Sequence, residues 1–193
     1  MAQVPTQTPP KHKNNATYII TPPLTNVQSP QTIRLVECRS LISGDGHTGS
    51  RTWEAACALG ELLISSHYTI ANTSTISNDP DFFELDLTGK NVLELGAGTG
   101  FLSMLSAKLG AKQVVATDGS WQVCSSLRGN VTENGLEEIV KVGRLLWGNG
   151  KIEESEDADN ETSALNTFVP DVVLASDVVC LRSIFSHAWC GGF

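Results

Sequence analysis

Apolar side chains are scarce over the first thirty positions and then recur in short runs broken by Gly, Pro, Ser and Asn. Residues 1–30 are rich in Pro, Thr, Gln and Asn and hold no apolar signal core, which predicts a disordered or loosely extended arm over residues 1–36. The alternation in residues 32–37 (T-I-R-L-V-E) predicts an edge strand leading into a domain that spans residues 37–179. Gly44, Gly46 and Gly49 make the next stretch a turn-rich loop. A helix then begins near Trp53, capped by Ser50 or Thr52, with Ala55, Ala56, Leu59, Leu62 and Leu63 as its core face. Residues 65–80 are polar and read as a surface loop, after which Phe82, Phe83, Leu85 and Leu87 lead into the centre of the chain.

That centre is residues 90–111, K-N-V-L-E-L-G-A-G-T-G-F-L-S-M-L-S-A-K-L-G-A. Val92, Leu93 and Leu95 form the brief apolar run of a buried parallel strand over residues 91–95. Gly96–Gly100 is a turn, and Phe101, Leu102, Leu105 and Leu109 share a helical face over residues 99–109, which Gly110 ends. A second strand follows at residues 113–117. Next comes a helix capped by Ser120, with Cys124, Leu127 and Val131 on one face. A third strand covers residues 139–146. Residues 151–167 carry six acids and hardly an apolar side chain, which reads as a solvated mobile loop. Residues 170–177, P-D-V-V-L-A-S-D, complete the pattern as a fourth buried strand ending in an acid.

Strand, glycine turn and helix N-terminus together make a site for a nucleotide-like ligand. The spacing Gly96-x-Gly98-x-Gly100 departs from the dinucleotide fingerprint, because Phe101 stands where its last glycine belongs. Glu94, at the tip of the strand, repels a pyrophosphate and suits a cationic amino group instead. These two residues disfavour a nicotinamide dehydrogenase. Asp118, 20 residues beyond Gly98, ends the next strand where a carboxylate can hold both hydroxyls of a ribose.

Composition narrows the partners. At 193 residues the chain has the length of one domain, and its net charge of −8 opposes nucleic-acid binding. The five cysteines show no C-x-x-C spacing, which fits free thiols in a reducing compartment and indicates no metal site. No apolar run reaches membrane-spanning length, so the cytosol is the expected location.

The E-x-G-x-G-x-G run with its Asp resembles the S-adenosylmethionine site of the seven-strand methyltransferases. The wider series S-G-x-G-x-T-G-x-R-T-W-E-A-A, V-L-E-L-G-A-G-T-G-F-L, A-T-D-G-S, L-x-x-N-x-x-x-N-G-L, L-W-G and A-S-D-V-V resembles the eukaryotic protein-lysine methyltransferases. Its R-T-W-E-A form is most similar to the branch that modifies elongation factor 2. The resemblance implies an α/β, Rossmann-like class I methyltransferase fold, doubly wound around a mainly parallel sheet. S-adenosyl-L-methionine is the implied cofactor, and a protein lysine, on elongation factor 2 in the nearest branch, is the implied acceptor. It places Trp53, Glu94, Gly96, Ala97, Gly98, Gly100, Asp118, Trp147 and Ser176 at the cofactor and Asp177 at the methyl-transfer site. Cys180 stands where the family carries an aromatic residue, and the family sheet has strands in the order 3-2-1-4-5-7-6. Only four of these strands are legible before residue 180. The expectation is therefore a sheet incomplete after its fourth strand, an atypical tail over residues 180–193, and either an active enzyme or a catalytically weak cofactor-binding fragment or interaction module.

Overall fold

The computed structural model describes residues 14–21, 31–38, 48–72, 84–148, 150–156 and 164–178. In chain order the elements are β1 (Asn14–Ile20), β2 (Gln31–Glu37), α1 (Glu54–Asn72), β3 (Asn91–Leu95), α2 (Phe101–Lys108), β4 (Gln113–Asp118), α3 (Trp121–Glu133), β5 (Val140–Leu145), β6 (Ile152–Glu153) and β7 (Val172–Ala175). The central sheet runs β6-β5-β4-β3-β7, with β3 between β4 and β7. All its pairings are parallel except that of β6 with β5. This is a Rossmann-like α/β sheet, in which the strand before the glycine turn lies at the middle.

Period-two alternation sorts the side chains of the sheet. Val92, Val114, Ala116, Val140, Val142 and Leu174 join one core cluster with Leu102 and Leu105 of α2 and Cys124, Leu127 and Val131 of α3. Leu63 of α1 belongs to the same cluster, so all three helices serve one side of the core. The other face is covered more thinly among the described residues: Val115, with Leu93 beside it, packs against Ile152, Leu165 and Phe168.

Several expectations are corrected. Part of the predicted arm is the strand β1, paired antiparallel with β2 in a separate two-stranded sheet, with Ala16 opposite Leu35. Burial of Ile20, Ile33 and Leu35 in the main core stabilises this pair, and β2 is the edge strand expected over residues 32–37. Helix α1 runs on to Asn72, through the first half of the predicted loop. Ser66 explains how: its buried hydroxyl donates to the Leu85 carbonyl at 3.2 Å and accepts from the Leu85 N–H at 2.7 Å. A hydroxyl satisfied twice is cheap to bury. Ala55 and Leu62 lie on the exposed side of α1, whose inner positions are Ala56, Leu59 and Leu63. Within the acidic stretch, Ile152–Glu153 forms β6, and Glu153 pairs with Arg144 at 3.0 Å. The fourth core strand is β7, which is an edge of the sheet among the described residues and buries only Leu174. The calls on Gly44, Gly46, Phe82, Phe83, Cys180 and the tail over 180–193 lie outside the described residues.

Candidate functional site

The glycine turn departs from the C-terminal end of β3 and enters α2. Gly100 is the N-cap of α2 with φ +85°, and a Cβ there would lie 2.1 Å from Leu127 Cδ1. Only glycine fits both the backbone angle and the space. The Ala97 N–H donates to the Thr117 carbonyl at 2.8 Å, which ties the turn to the end of β4. Above the turn runs a short strap, residues 48–53. At its start Gly49 packs backbone to backbone on Gly98: a Cβ on Gly98 would sit 3.2 Å from the Gly49 carbonyl oxygen. The Trp53 indole N–H donates to the Thr48 carbonyl at 3.0 Å, and the Arg51 guanidinium lies 4.8 Å from the centre of the Trp53 ring.

Turn, strap and strand tips enclose a cleft of about 770 Å³. It is lined by nine of the ten residues singled out in the sequence, namely Trp53, Glu94, Gly96, Ala97, Gly98, Asp118, Trp147, Ser176 and Asp177. The tenth, Gly100, shapes the turn from behind and does not line the cleft. Sequence reasoning placed Gly49 in a loop and Thr52 as a helix cap, and gave neither them nor Arg51, Leu145 and Leu146 a place at the ligand, though all five line the cleft. Arg51 and Thr52 stood within the quoted R-T-W-E-A run, which was the available signal. Thr52 turns its hydroxyl to Thr99 at 2.7 Å rather than capping α1.

Two acids mark the floor. Glu94 is buried and its carboxylate accepts from the Ser103 hydroxyl. Burial pushes its carboxyl up to about 7; the Ser103 bond opposes the rise and the charge of Asp118 adds to it. Glu94 is thus not the simple anion its sequence position suggested, but a carboxyl that titrates near neutrality. Asp118 accepts from the Gly98 N–H at 3.2 Å and the Ser120 N–H at 3.1 Å, so the turn and the start of α3 orient it.

The far walls differ in character. Leu145, Leu146 and Trp147 make an apolar side, with Trp147 half exposed. Opposite in chemistry is Ser176, whose hydroxyl is buried and has no hydrogen-bond partner among the described residues. Asp177 follows with φ +52°, the one non-glycine in the left-handed region among the described residues. Among those residues, no three His, Cys, Asp or Glu side chains are grouped to hold a metal ion. No described helix is long and apolar enough to cross a membrane.

Comparison with known proteins follows the same line. The family model described as lysine methyltransferase matches residues 42–188. The protein-lysine N-methyltransferase EFM3 of Chaetomium thermophilum is 40% identical over 149 residues, covering 76% of this chain and 38% of that protein. Its Saccharomyces cerevisiae namesake is 32% identical, covering 73% and 42%. The protein-lysine N-methyltransferase EEF2KMT of Homo sapiens is 32% identical, covering 80% and 42%. The chain therefore spans 38% to 42% of the length of these curated relatives. With the match extending over most of its own residues, the chain belongs to the lysine methyltransferase family, whose methyl donor is S-adenosylmethionine.

Proposed function

We propose that the cleft binds S-adenosylmethionine and that the protein methylates a lysine side chain of another protein. The observation that carries this reading is the pair of acids, Glu94 and Asp118, on adjacent parallel strands beside one glycine turn. The residues present fit the ligand. A buried hydroxyl without a partner among the described residues, such as that of Ser176, costs about 1–3 kcal/mol unless another group satisfies it, and a bound ligand can.

When bound, the cofactor supplies a methyl group on a sulfonium sulfur, which an amine displaces in line. Glu94, ionised, receives the ammonium of the methionine moiety. Asp118 takes the ribose hydroxyls, and Gly96, Ala97 and Gly98 bring backbone close to the ligand at the N-terminus of α2. Trp53 and Trp147 contribute aromatic wall, the latter beside the adenine, and Ser176 adds a hydrogen bond. Gly100 acts only by shaping the turn. Asp177, exposed at the end of β7, lies beside the acceptor amine, whose deprotonation is favoured by leaving water for an apolar channel.

Elongation factor 2, in the cytosol, is the acceptor this reading names, supported by the Arg51–Ala55 run. Calorimetry with S-adenosylmethionine tests the site. Asp118→Ala should weaken binding by about 1–3 kcal/mol, the scale of hydrogen bonds to a charged group. Equal affinity in the two proteins removes the ribose assignment, and a folded wild type that does not bind overturns the whole reading. Binding without methyl transfer leaves a cofactor-binding module. Mass spectrometry of elongation factor 2 from cells lacking this protein tests the acceptor, with unchanged lysine methylation pointing to another substrate.

A further inference from the structure

Asn130 on α3 and Glu37 on β2 are both buried and neither lines the cleft. A closed circuit of hydrogen bonds joins them to it. The Val36 N–H donates to Asn130 Oδ1 at 2.9 Å, and Asn130 Nδ2 donates to the Thr99 carbonyl at 3.0 Å. The Thr99 and Thr52 hydroxyls lie 2.7 Å apart, and the Thr52 N–H donates to Glu37 Oε2 at 3.1 Å. Glu37 follows Val36 in the chain, so the ring closes. It links four segments far apart in sequence: the N-terminal hairpin, the strap, the glycine turn and α3.

Two of its members, Thr52 and Thr99, line the cleft, and Trp53 is the next residue after Thr52. Elsewhere the strap meets the turn through Gly49 and Gly98, which have no side chains to lock a register. A second tie, from the Cys38 N–H to the Ser50 carbonyl at 2.7 Å, anchors the strap to the end of β2 but does not reach the turn. The Trp53 carbonyl also accepts from the Ala56 and Cys57 N–H groups at the start of α1, which packs on α2 through Gly60. Beside that helix contact, the circuit is the side-chain link that sets the distance between the Trp53 wall and the glycine turn. We propose that Asn130 and Glu37 are positioning residues of the cleft, holding Thr52 and Trp53 against the glycine turn so that an adenosine-type ligand meets a preformed wall. The proposal rests on the cofactor reading for its ligand, and on the circuit alone for its mechanics.

Binding of S-adenosylhomocysteine to the full chain, measured by calorimetry where circular dichroism shows each variant folded, tests it. Glu37→Ala removes the acceptor for Thr52. Asn130→Asp keeps an acceptor for the Val36 N–H but loses the donor to the Thr99 carbonyl, together with the long 3.5 Å bond to the Val36 carbonyl. Each should weaken binding about five- to tenfold, the scale of one lost hydrogen bond to a buried partner. Glu37→Gln, which keeps an oxygen for the Thr52 N–H, should restore most of the affinity. Because both losses open the same ring, the double variant should bind little worse than either single one. A merely structural role lowers the melting temperature of the variants and leaves the affinity of the folded fraction unchanged, and that result overturns the proposal, as do fully multiplicative losses. Amide exchange supplies an arm independent of the ligand: Asn130→Asp should release the Thr52 amide and the Trp53 indole N–H, neither of which it touches. Should the folded wild type not bind S-adenosylhomocysteine, the cofactor reading falls, while the circuit stands or falls by that exchange. Unchanged protection at Thr52 in Asn130→Asp sinks it.

Discussion

Replacing Glu94 by Gln isolates the charge of the buried acid from its shape. The amide keeps an oxygen for the Ser103 hydroxyl, so the packing is preserved while ionisation is abolished. In the wild type the carboxyl titrates at about 7, raised by burial. Its ionised fraction climbs from about 3% at pH 5.5 to about three quarters at pH 7.5, a rise of roughly 25-fold. If the ligand's ammonium needs the ionised form, apparent affinity for S-adenosylhomocysteine should rise by about that factor over the window. Glu94→Gln should be flat across it, and at pH 7.5 weaker by about 1.5–3 kcal/mol, the worth of a charge-assisted hydrogen bond. Ligand-free stability carries the opposite sign. The folded value lies above the ordinary 4.5. Between 4.5 and 7, therefore, the folded chain holds a proton that the unfolded chain has lost. That contribution is fully present below pH 4.5 and is lost as pH rises to about 7, about 3 kcal/mol at roughly 1.4 kcal/mol per pKa unit. Glutamine cannot lose it, so the variant should gain on the wild type as pH rises, read as a growing difference in denaturant midpoints. Parallel pH profiles of affinity and stability in the two proteins would show that Glu94 does not titrate as its burial demands.

Three further outcomes follow from the packing. Gly100→Ala forces a Cβ into Leu127 at a left-handed backbone angle and should cost about 2–4 kcal/mol by urea denaturation. Trp147→Ala, at a half-exposed position, should barely move the melting temperature yet weaken ligand binding by about 1–3 kcal/mol, the scale of stacking against a base. The Cys124 thiol, pushed up to about 11 chiefly by burial, should resist iodoacetamide at pH 8 in the folded chain and react once urea unfolds it, as peptide mass spectrometry can follow.

Elements whose side chains meet their partners within a few dozen residues were legible from the sequence. Strand β3, the turn, α2, β4, α3 and β5 lie within a residue or two of expectation, because each presents a strong local period to one shared core. The cleft was legible for a related reason. In a parallel sheet the strand tips and the turns after them converge at one edge, so Glu94, the glycines and Asp118 meet once the strand order is known.

What depends on distant partners could not be read this way. Strand β1 has a weak alternation whose buried positions, Ala16 and Ile20, acquire meaning only against β2 and the core. The polar second half of α1 stays helical because Leu85, nineteen residues beyond Ser66, satisfies the Ser66 hydroxyl. The motif spacing placed Glu94 at the strand tip, but its charge state is a property of the burial around it. The sequence determined which candidate residues meet at the cleft. Only the tertiary structure decided how Glu37, Thr52, Thr99 and Asn130 close around them, since hydrogen bonds between segments 15 to 94 residues apart leave no periodic trace in the chain.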